Sequence, residues 1–153
     1  MACSWGTPAM SSRLEWTCEE YFKQLFSLNP VITGVIPAAR IRHFSDDDQA
    51  DENALVVQAV QGERRIDAPR GAFDVALHAK IRSFSLTSDQ SEAVADAVVD
   101  SVYDPAQVGQ PALAPVVERL SYLLILDEMT GERTNTKNHR LREKVFPLIA
   151  KGT

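Results

Sequence analysis

The residues of this chain best suited to acid–base chemistry are an aspartate and a histidine on one predicted strand. Asp74 and His78 share a face of that strand, and such a pair could hold and move a proton. Four residues along a strand cover about 13 Å, so the two side chains cannot share a hydrogen bond without another element. The other histidines, His43 and His139, are distant from both in the sequence. We therefore interpret all three histidines as polar residues of the surface or of a strand face.

Acidic side chains crowd residues 46–52, where they could bind a hard cation such as calcium. A calcium loop of the EF-hand type needs ligands at alternating positions and a glycine at its sharp turn, and this segment has neither. The signatures of phosphate-binding loops, dinucleotide-binding turns, zinc proteases and serine hydrolases are also absent from the sequence. We therefore predict a solvated loop here, and a protein that is not an enzyme and uses no cofactor or metal.

The composition is typical of one globular domain. The chain has 153 residues, of which 44% are hydrophobic and 24% charged, enough to bury a substantial core. No apolar stretch approaches the roughly 20 residues that cross a bilayer, and the first residues lack the pattern of a secretory signal. We expect no membrane association, and we interpret Cys3 and Cys18 as free thiols in a reducing compartment.

Charge is distributed unevenly along the chain. Residues 131–153 carry a net charge of +4, which leaves −9 on the rest because the total is −5. The basic stretch could bind nucleic-acid phosphates, meet the acidic body of a neighbouring copy, or form a solvated surface. The five basic residues between positions 133 and 144 have no aromatic residues interleaved with them, so we predict a protein contact and no specific nucleic-acid binding. The residues we assign to that contact are Arg133, Lys137, Arg140 and Arg142 on the basic side, and Asp46, Asp47 and Asp48 or Glu92, Asp96 and Asp100 on the acidic side.

Capping signals and apolar periodicity predict two amphipathic helices. The first begins at Ser12, and its apolar stripe continues to Leu28, which leaves residues 1–11 as a flexible N-terminus. The second begins at Thr87, which has Gln90 as its capping partner. A short third helix is predicted over residues 112–119.

Strands and loops account for most of the remaining chain. Strands are predicted over residues 38–44, 54–61, 71–85, 122–127 and 140–150, and a polar loop over residues 131–138. The last strand contains Pro147 and its pattern also fits a helix; we choose a strand at the sheet edge, where proline is better tolerated. This order predicts a single-domain α+β fold over residues 12–150, with an antiparallel β-sheet, a long β-hairpin and helices packed on one face.

The strand over residues 71–85 is the most regular element of the chain. Apolar and polar residues alternate for about 13 positions, or about 40 Å, against a usual strand length of about 5–6 residues. We expect part of so long a strand to extend past the core and to contact another subunit. The hairpin that it forms with the preceding strand ends in a charged tip. The tip residues that we assign to an inter-subunit contact are Glu63, Arg64, Arg65, Asp67 and Arg70.

A block from Glu52 to Asp104 combines an apolar strand, a Gly-Glu-Arg hairpin tip, a long strand of the form G-x-[FY]-[DE]-V-x-L, and a helix rich in acidic residues and valine. In this combination the sequence resembles the tail terminator (tail completion) proteins of long-tailed bacteriophages, a family that includes neck proteins of similar size. The leading helix and the late pair SYLLILDEMTG and HRLREKVFPLIA fit the same layout. The resemblance therefore covers most of residues 12–150.

The resemblance implies a structural protein of the virion. Members of this family form six-membered rings at the head-proximal end of the tail tube, where the ring stops tube polymerisation and joins the tail to the head. The implied assembly is a hexameric homo-oligomer with the tail tube protein and the head-side connector protein as partners, formed in the cytoplasm of the host bacterium. Two alternatives stay open: a head-completion or connector subunit, and a small α+β enzyme or ligand-binding domain.

Overall fold

The fold is a mixed β-sheet with helices on one face, described by a computed structural model over residues 3–47, 52–103, 120–126, 131–135 and 140–152. Its elements are α1 (Cys3–Ser27), α2 (Pro30–Thr33), β1 (Ile41–His43), β2 (Ala54–Arg64), β3 (Phe73–Ser83), α3 (Ser88–Tyr103), β4 (Leu120–Ile125), β5 (Gly131–Asn135) and β6 (Arg140–Gly152). The strand order is β1-β2-β3-β6-β4, and β5 also pairs with β6. The predicted α+β class is confirmed.

The prediction of an antiparallel sheet is wrong for one pair of strands. Strand β1 runs parallel to β2, with Ile41 opposite Leu55 and His43 opposite Val57. A parallel neighbour requires the chain to return to the end of the sheet from which it started. That return is short here, because β1 has only three residues and the chain must recover only about 10 Å. The remaining strand pairs are antiparallel.

Helix α1 buries its predicted apolar stripe against the sheet. Cys18, Phe22 and Leu25 are fully buried, whereas Leu28 at the end of the predicted stripe is exposed. Phe26 joins the same core. Cys18 is a free thiol, as predicted, and its burial raises the pKa of that thiol to about 12.

The start of α1 differs from the prediction. The helix begins at Cys3, so the expected boundary at Ser12 is wrong and residues 3–11 continue the helical backbone. Ser12 and Glu15 have the spacing of a capping box, but the Glu15 carboxylate accepts a hydrogen bond from the backbone N–H of Gln61 in β2 at 2.8 Å. This carboxylate therefore supports the sheet and not a helix end.

Strand β3 is the central strand, and it does not overhang the sheet. Its 11 residues are in register with β6 along the whole strand, from Phe73 opposite Ala150 to Ser83 opposite Arg140. Its other edge pairs with β2. The alternation is as predicted, because Val75, Leu77, Ala79 and Ile81 are all buried. The expectation that part of this strand extends past the core is therefore wrong, and the part that projects is the β2–β3 connection.

Strand β6 is confirmed as a strand but lies inside the sheet and not at its edge. It has β3 on one side and both β4 and β5 on the other. Pro147 lies opposite the break between β4 and β5, where its carbonyl accepts a hydrogen bond from the backbone N–H of Leu126 at 3.0 Å. Because the N and O of a strand residue face the same neighbour, the missing N–H of Pro147 also falls at this break.

The prediction of a polar loop over residues 131–138 is wrong for residues 131–135, which form strand β5. Its polar residues pair with β6 from Gly131 opposite Val145 to Asn135 opposite Leu141. Polar composition misled the prediction because an edge strand pairs through its backbone and does not need an apolar pattern. Residues 136–138 and the helix predicted over residues 112–119 lie outside the described part of the chain.

Helix α3 begins with the predicted capping box. The Thr87 hydroxyl accepts a hydrogen bond from the backbone N–H of Gln90 at 3.1 Å, and the Gln90 side-chain oxygen accepts one from the backbone N–H of Thr87 at 3.0 Å. The helix ends at Tyr103, two residues before Pro105 in the sequence, and a residue that precedes proline avoids helical geometry. Its buried residues include Val94, Ala95, Val98 and Val102.

We expect Thr87→Ala to lower the free energy of unfolding by about 1 kcal/mol, because it removes the acceptor for one of the unpaired N–H groups of the first turn. Ser88→Ala is a matched control on the adjacent, exposed residue and should change stability by less than about 0.5 kcal/mol. Urea unfolding of the three proteins measures both effects. Equal midpoints for Thr87→Ala and the parent would contradict a stabilising cap.

Candidate functional site

The β2–β3 connection forms a tip that presents one large apolar side chain to solvent. Ile66 is 97% exposed, more than any other large hydrophobic residue among those described. The backbone around it is hydrogen-bonded, with the Arg65 N–H donating to the Ala72 carbonyl at 2.9 Å and the Ala72 N–H donating to Pro69 at 3.0 Å. Gly71 closes the turn at φ 88°, a conformation that favours glycine. Backbone hydrogen bonds therefore fix the conformation of the tip, and Ile66 is exposed on it.

Ion pairs brace this tip from within. Arg65 donates to both carboxylate oxygens of Asp67 at 2.9 and 3.0 Å, and to Asp74 at 3.2 Å. The hydrogen bond from Arg65 lowers the pKa of Asp67, so the pair stays charged when the surroundings become mildly acidic. Two residues assigned to an inter-subunit contact, Arg65 and Asp67, thus bind each other and shape the tip. The others, Glu63, Arg64 and Arg70, are exposed on it.

Helix α1 closes the edge of β2 beyond the end of β1. The Glu19 carboxylate accepts a hydrogen bond from the backbone N–H of Ala59 at 2.9 Å, one helical turn from the matching bond between Glu15 and Gln61. Residues four apart on a helix are separated by a rise of about 6 Å, and alternate residues of a strand are roughly 6.6 Å apart. The spacing of the two carboxylates on α1 therefore matches the spacing of the two N–H groups on the edge of β2. Side chains of α1 therefore satisfy backbone donors that a further strand would otherwise pair.

His43 is the last residue of β1 and is buried between that strand and α1, so the prediction of a surface position is wrong for it. Its side chain is 2% exposed. Its Nδ1 lies 2.8 Å from Glu19 Oε1 and its Nε2 lies 2.9 Å from Glu20 Oε1. The ring stacks on Trp16, with centroids 5.1 Å apart and planes 8° from parallel. Both ring nitrogens are engaged, so His43 ties β1 to α1.

The pKa shifts of this cluster favour an imidazolium between carboxylates. Burial alone would lower the pKa of His43, but its hydrogen bonds to Glu19 and Glu20 and their negative charges outweigh burial and raise that pKa above 6.5. Burial likewise acts to raise the pKa of Glu20, yet hydrogen bonds from His43 and Gln24 hold it below 4.5. The cluster is therefore held by charge-assisted hydrogen bonds in mildly acidic solution.

A groove of about 350 Å³ runs along the same edge of β2. Three large apolar side chains in it are substantially exposed: Trp16 at 40%, Phe44 at 46% and Val60 at 43%. Its full lining is Glu15, Trp16, Glu19, Phe44, Ser45, Gln58, Ala59 and Val60. Exposed aromatic side chains grouped in a concave surface are typical of binding sites. The groove thus lies beside the middle of β2, and the tip is a second, different surface that follows the end of the same strand.

The sheet face opposite the helices carries a polar cluster near the groove. Lys80 donates to the Gln58 side chain at 2.8 Å, and its ammonium lies 4.8 Å from the centre of the Phe44 ring. The neighbouring His78 lies on the strand face, as predicted, with its Nδ1 3.3 Å from Glu143. Its partner is Glu143 and not Asp74, in agreement with the expected distance along the strand.

The acidic segment is divided by the structure. Asp47 binds Arg82 through two hydrogen bonds of 2.7 and 2.9 Å, so this predicted contact residue is engaged within the chain. Asp46 is exposed, and Asp48 lies outside the described residues. In the described part of the chain, no group of three or more His, Cys, Asp or Glu side chains is placed to hold a metal ion.

The basic stretch is only partly described. Arg133 and Arg140 belong to β5 and β6, and Arg142 is half-buried in β6 opposite Ile81 of β3. Lys137 and His139 lie outside the described residues. The second acidic candidate, the stripe of Glu92, Asp96 and Asp100 on α3, is exposed. The described partner of Asp47 is Arg82, which lies in β3 and does not belong to the basic stretch.

Neither the protein-family models nor the curated protein sequences contain a match to this chain. None of the helices in the described ranges combines the length and the apolar composition needed to cross a bilayer.

Proposed function

We propose that the protein is a ring-forming structural subunit of the tail terminator class of long-tailed bacteriophages. In this role six copies close into a ring at the head-proximal end of the tail tube, stop its polymerisation and provide the surface to which the head connector binds. The partners are further copies of the chain, the tail tube protein and the head-side connector protein. The protein acts in the virion after assembly in the host cytoplasm, and it needs neither catalysis nor a cofactor.

The observation that carries this proposal is the braced tip with Ile66 at its end. Holding an isoleucine in solvent on an ordered loop has a free-energy cost in an isolated subunit, because apolar surface remains hydrated. Binding recovers that cost, and a tip already held by Arg65 loses little further conformational entropy on contact. A preorganised apolar anchor flanked by arginines is the composition expected at the centre of a protein interface.

The arrangement of surfaces also supports a ring subunit. A closed ring of identical copies needs a heterologous contact, in which one surface of each copy meets a different surface of the next. The tip and the groove are two such surfaces, since they differ in shape and composition. The block that carries the family resemblance corresponds to β2, the tip, β3 and α3. These elements are the centre of the fold and include the projecting tip.

A head-completion or connector subunit is the second candidate, because the same two surfaces would serve a ring on the head side. The two roles differ in which partner the ring binds. A terminator binds the end of the tail tube, whereas a completion protein binds the portal side of the head.

The test is to polymerise the tail tube protein of the same virus with and without this protein. We expect tubes that stop growing and carry a ring at one end when the protein is present. Continued growth of bare tubes would contradict the terminator role. Binding to the head connector with no effect on tube growth would instead support the head-completion role.

A further inference from the structure

The tip of one copy cannot enter the groove of the same copy. The chain from Val60, at the groove, to Ile66, at the tip, spans about 20 Å in an extended hairpin. Pairing of β2 with β3 fixes the direction of that hairpin up to Arg64 opposite Phe73. Any contact between the tip and this groove is therefore a contact between two molecules.

The apolar parts of the two surfaces match. The tip offers Ile66, an aliphatic side chain that is almost wholly exposed. The groove offers Trp16, Phe44 and Val60 around a volume of about 350 Å³. The stacking of Trp16 on the buried His43 ring holds one wall in place before any partner binds. Burial of an aliphatic anchor between ordered aromatic walls is the arrangement of an interface hot spot.

The charges of the two surfaces are complementary. Glu15 and Glu19 line the groove, and the exposed Asp46 directly follows two of its lining residues. These three acidic residues outnumber the ammonium of Lys80, which lies beside the Phe44 ring. Arg64 and Arg70 are exposed on either side of Ile66 in the sequence, and neither forms an ion pair with any other described residue. Opposite potentials of this kind orient the encounter of two copies and select the register of contact.

We propose that Ile66 and the adjacent arginines of one copy occupy the groove formed by Trp16, Phe44 and Val60 of a second copy. This inference rests on the proposed ring function and names the contact that builds the ring. The contact is heterologous, because tip and groove lie on different parts of one chain, so each copy uses its tip on one neighbour and its groove on the other. Repetition of that contact closes a ring or extends a chain of copies.

The test is disulfide trapping between two variants of the full chain, each with one introduced cysteine in a Cys3→Ser background. One variant carries Ile66→Cys in the tip and the other carries Val60→Cys in the groove. A second acceptor, Ser45→Cys, keeps the test valid if Val60→Cys disturbs β2. The native Cys18 is buried and does not compete. The matched control acceptor is Val31→Cys, which is half-exposed on α2 and belongs to neither the tip nor the groove.

We expect mild oxidation of the mixed variants to give a cross-linked dimer in at least about tenfold greater yield than the control pair, because the contact raises the effective concentration of the two thiols. Analytical ultracentrifugation of the same samples before oxidation measures assembly separately. Assembly without the cross-link at either acceptor would overturn the groove contact and leave the ring function standing. Cross-linked dimers of Ile66→Cys alone would show that the tips of two copies meet each other. Cross-linking of Ile66→Cys to tail tube protein would show that the tip contacts that protein. Either result overturns the proposal. Parent protein sedimented alongside these variants that stays monomeric at all concentrations would overturn both the contact and the ring.

Discussion

Replacing His43 with alanine is expected to lower the free energy of unfolding by about 3 kcal/mol, the lower end of the range for breaking a buried ion pair. The substitution leaves the carboxylates of Glu19 and Glu20 in a poorly hydrated site without the imidazolium to which both are hydrogen-bonded. It also removes the ring on which Trp16 stacks. Glu20 retains some access to water, which is why the lower end of the range applies. Urea unfolding near pH 5.5 measures the loss.

The effect of His43 should depend on pH with a definite sign. The pKa of His43 is raised above 6.5, so its stabilising contribution is complete below that pH and disappears as pH rises through the raised value. The pKa of Glu20 is lowered below 4.5, so its contribution is complete above that pH and is lost on further acidification. The difference in free energy of unfolding between the parent and His43→Ala should therefore be largest between about pH 4.5 and 6.5.

His78→Ala is the matched control, since His78 is also on a strand and near a carboxylate but its side chain is partly exposed. We expect that variant to lose about 1 kcal/mol or less, because the pair with Glu143 is accessible to solvent. Equal losses for the two histidine variants would contradict a special role for His43. A difference between parent and His43→Ala that grew with pH would contradict the charged cluster.

Replacing Ile66 with aspartate is expected to weaken self-association by about 30-fold or more, which corresponds to the loss of an interface anchor worth about 2 kcal/mol. The substitution places a carboxylate in an apolar contact and next to the acidic groups of the groove. Folding should be unaffected, because Ile66 has almost no contact with the rest of its own chain. Sedimentation velocity across a concentration series measures the change in association.

Val31→Asp is the matched control for this variant. Val31 is a half-exposed aliphatic residue on α2 and belongs to neither the tip nor the groove. The same substitution there should leave association within about twofold of the parent, since a surface change distant from an interface rarely affects it by more than a few tenths of a kcal/mol. A similar loss in both variants would indicate a general effect of added negative charge and would contradict the assignment of Ile66.

The elements that were predicted correctly are those encoded by local patterns. The alternation of Val75, Leu77 and Ile81 identifies one face of β3 without reference to any other strand. The capping pair of Thr87 and Gln90 lies three residues apart and forms as predicted. Such signals need only neighbouring residues, and the class of the fold follows from their order along the chain.

The features that were missed depend on contacts between distant residues. His43 is polar and follows two residues of a short strand, which gives no sign that α1 will bring two carboxylates to it. A signal did exist in α1, where Glu15 and Glu19 recur at a helical step beside the apolar stripe that includes Phe22. Acidic side chains on the border of a buried face need donors, and the free edge of β2 supplies them.

Two of the predicted contact residues bind partners within the chain that the sequence did not indicate, for a similar reason. Asp47 was grouped with its acidic neighbours as a surface residue, but Arg82 of β3 binds it through both guanidinium nitrogens of the fork. Arg65 was assigned to a partner and instead braces the tip through Asp67 and Asp74. Charged residues in a sequence do not reveal which of them find a partner inside the fold. The exposed remainder, Ile66 above all, is what the structure adds to the candidate site.

Negative-stain electron microscopy of the purified full chain tests the central claim most directly. If the protein is a ring-forming subunit, the images should contain closed particles with an open centre and one predominant number of subunits. The same particles should become scarce in the Ile66→Asp variant at equal concentration. Monomer-sized particles alone, at every concentration of the parent protein and in the presence of tail tubes, would contradict the claim.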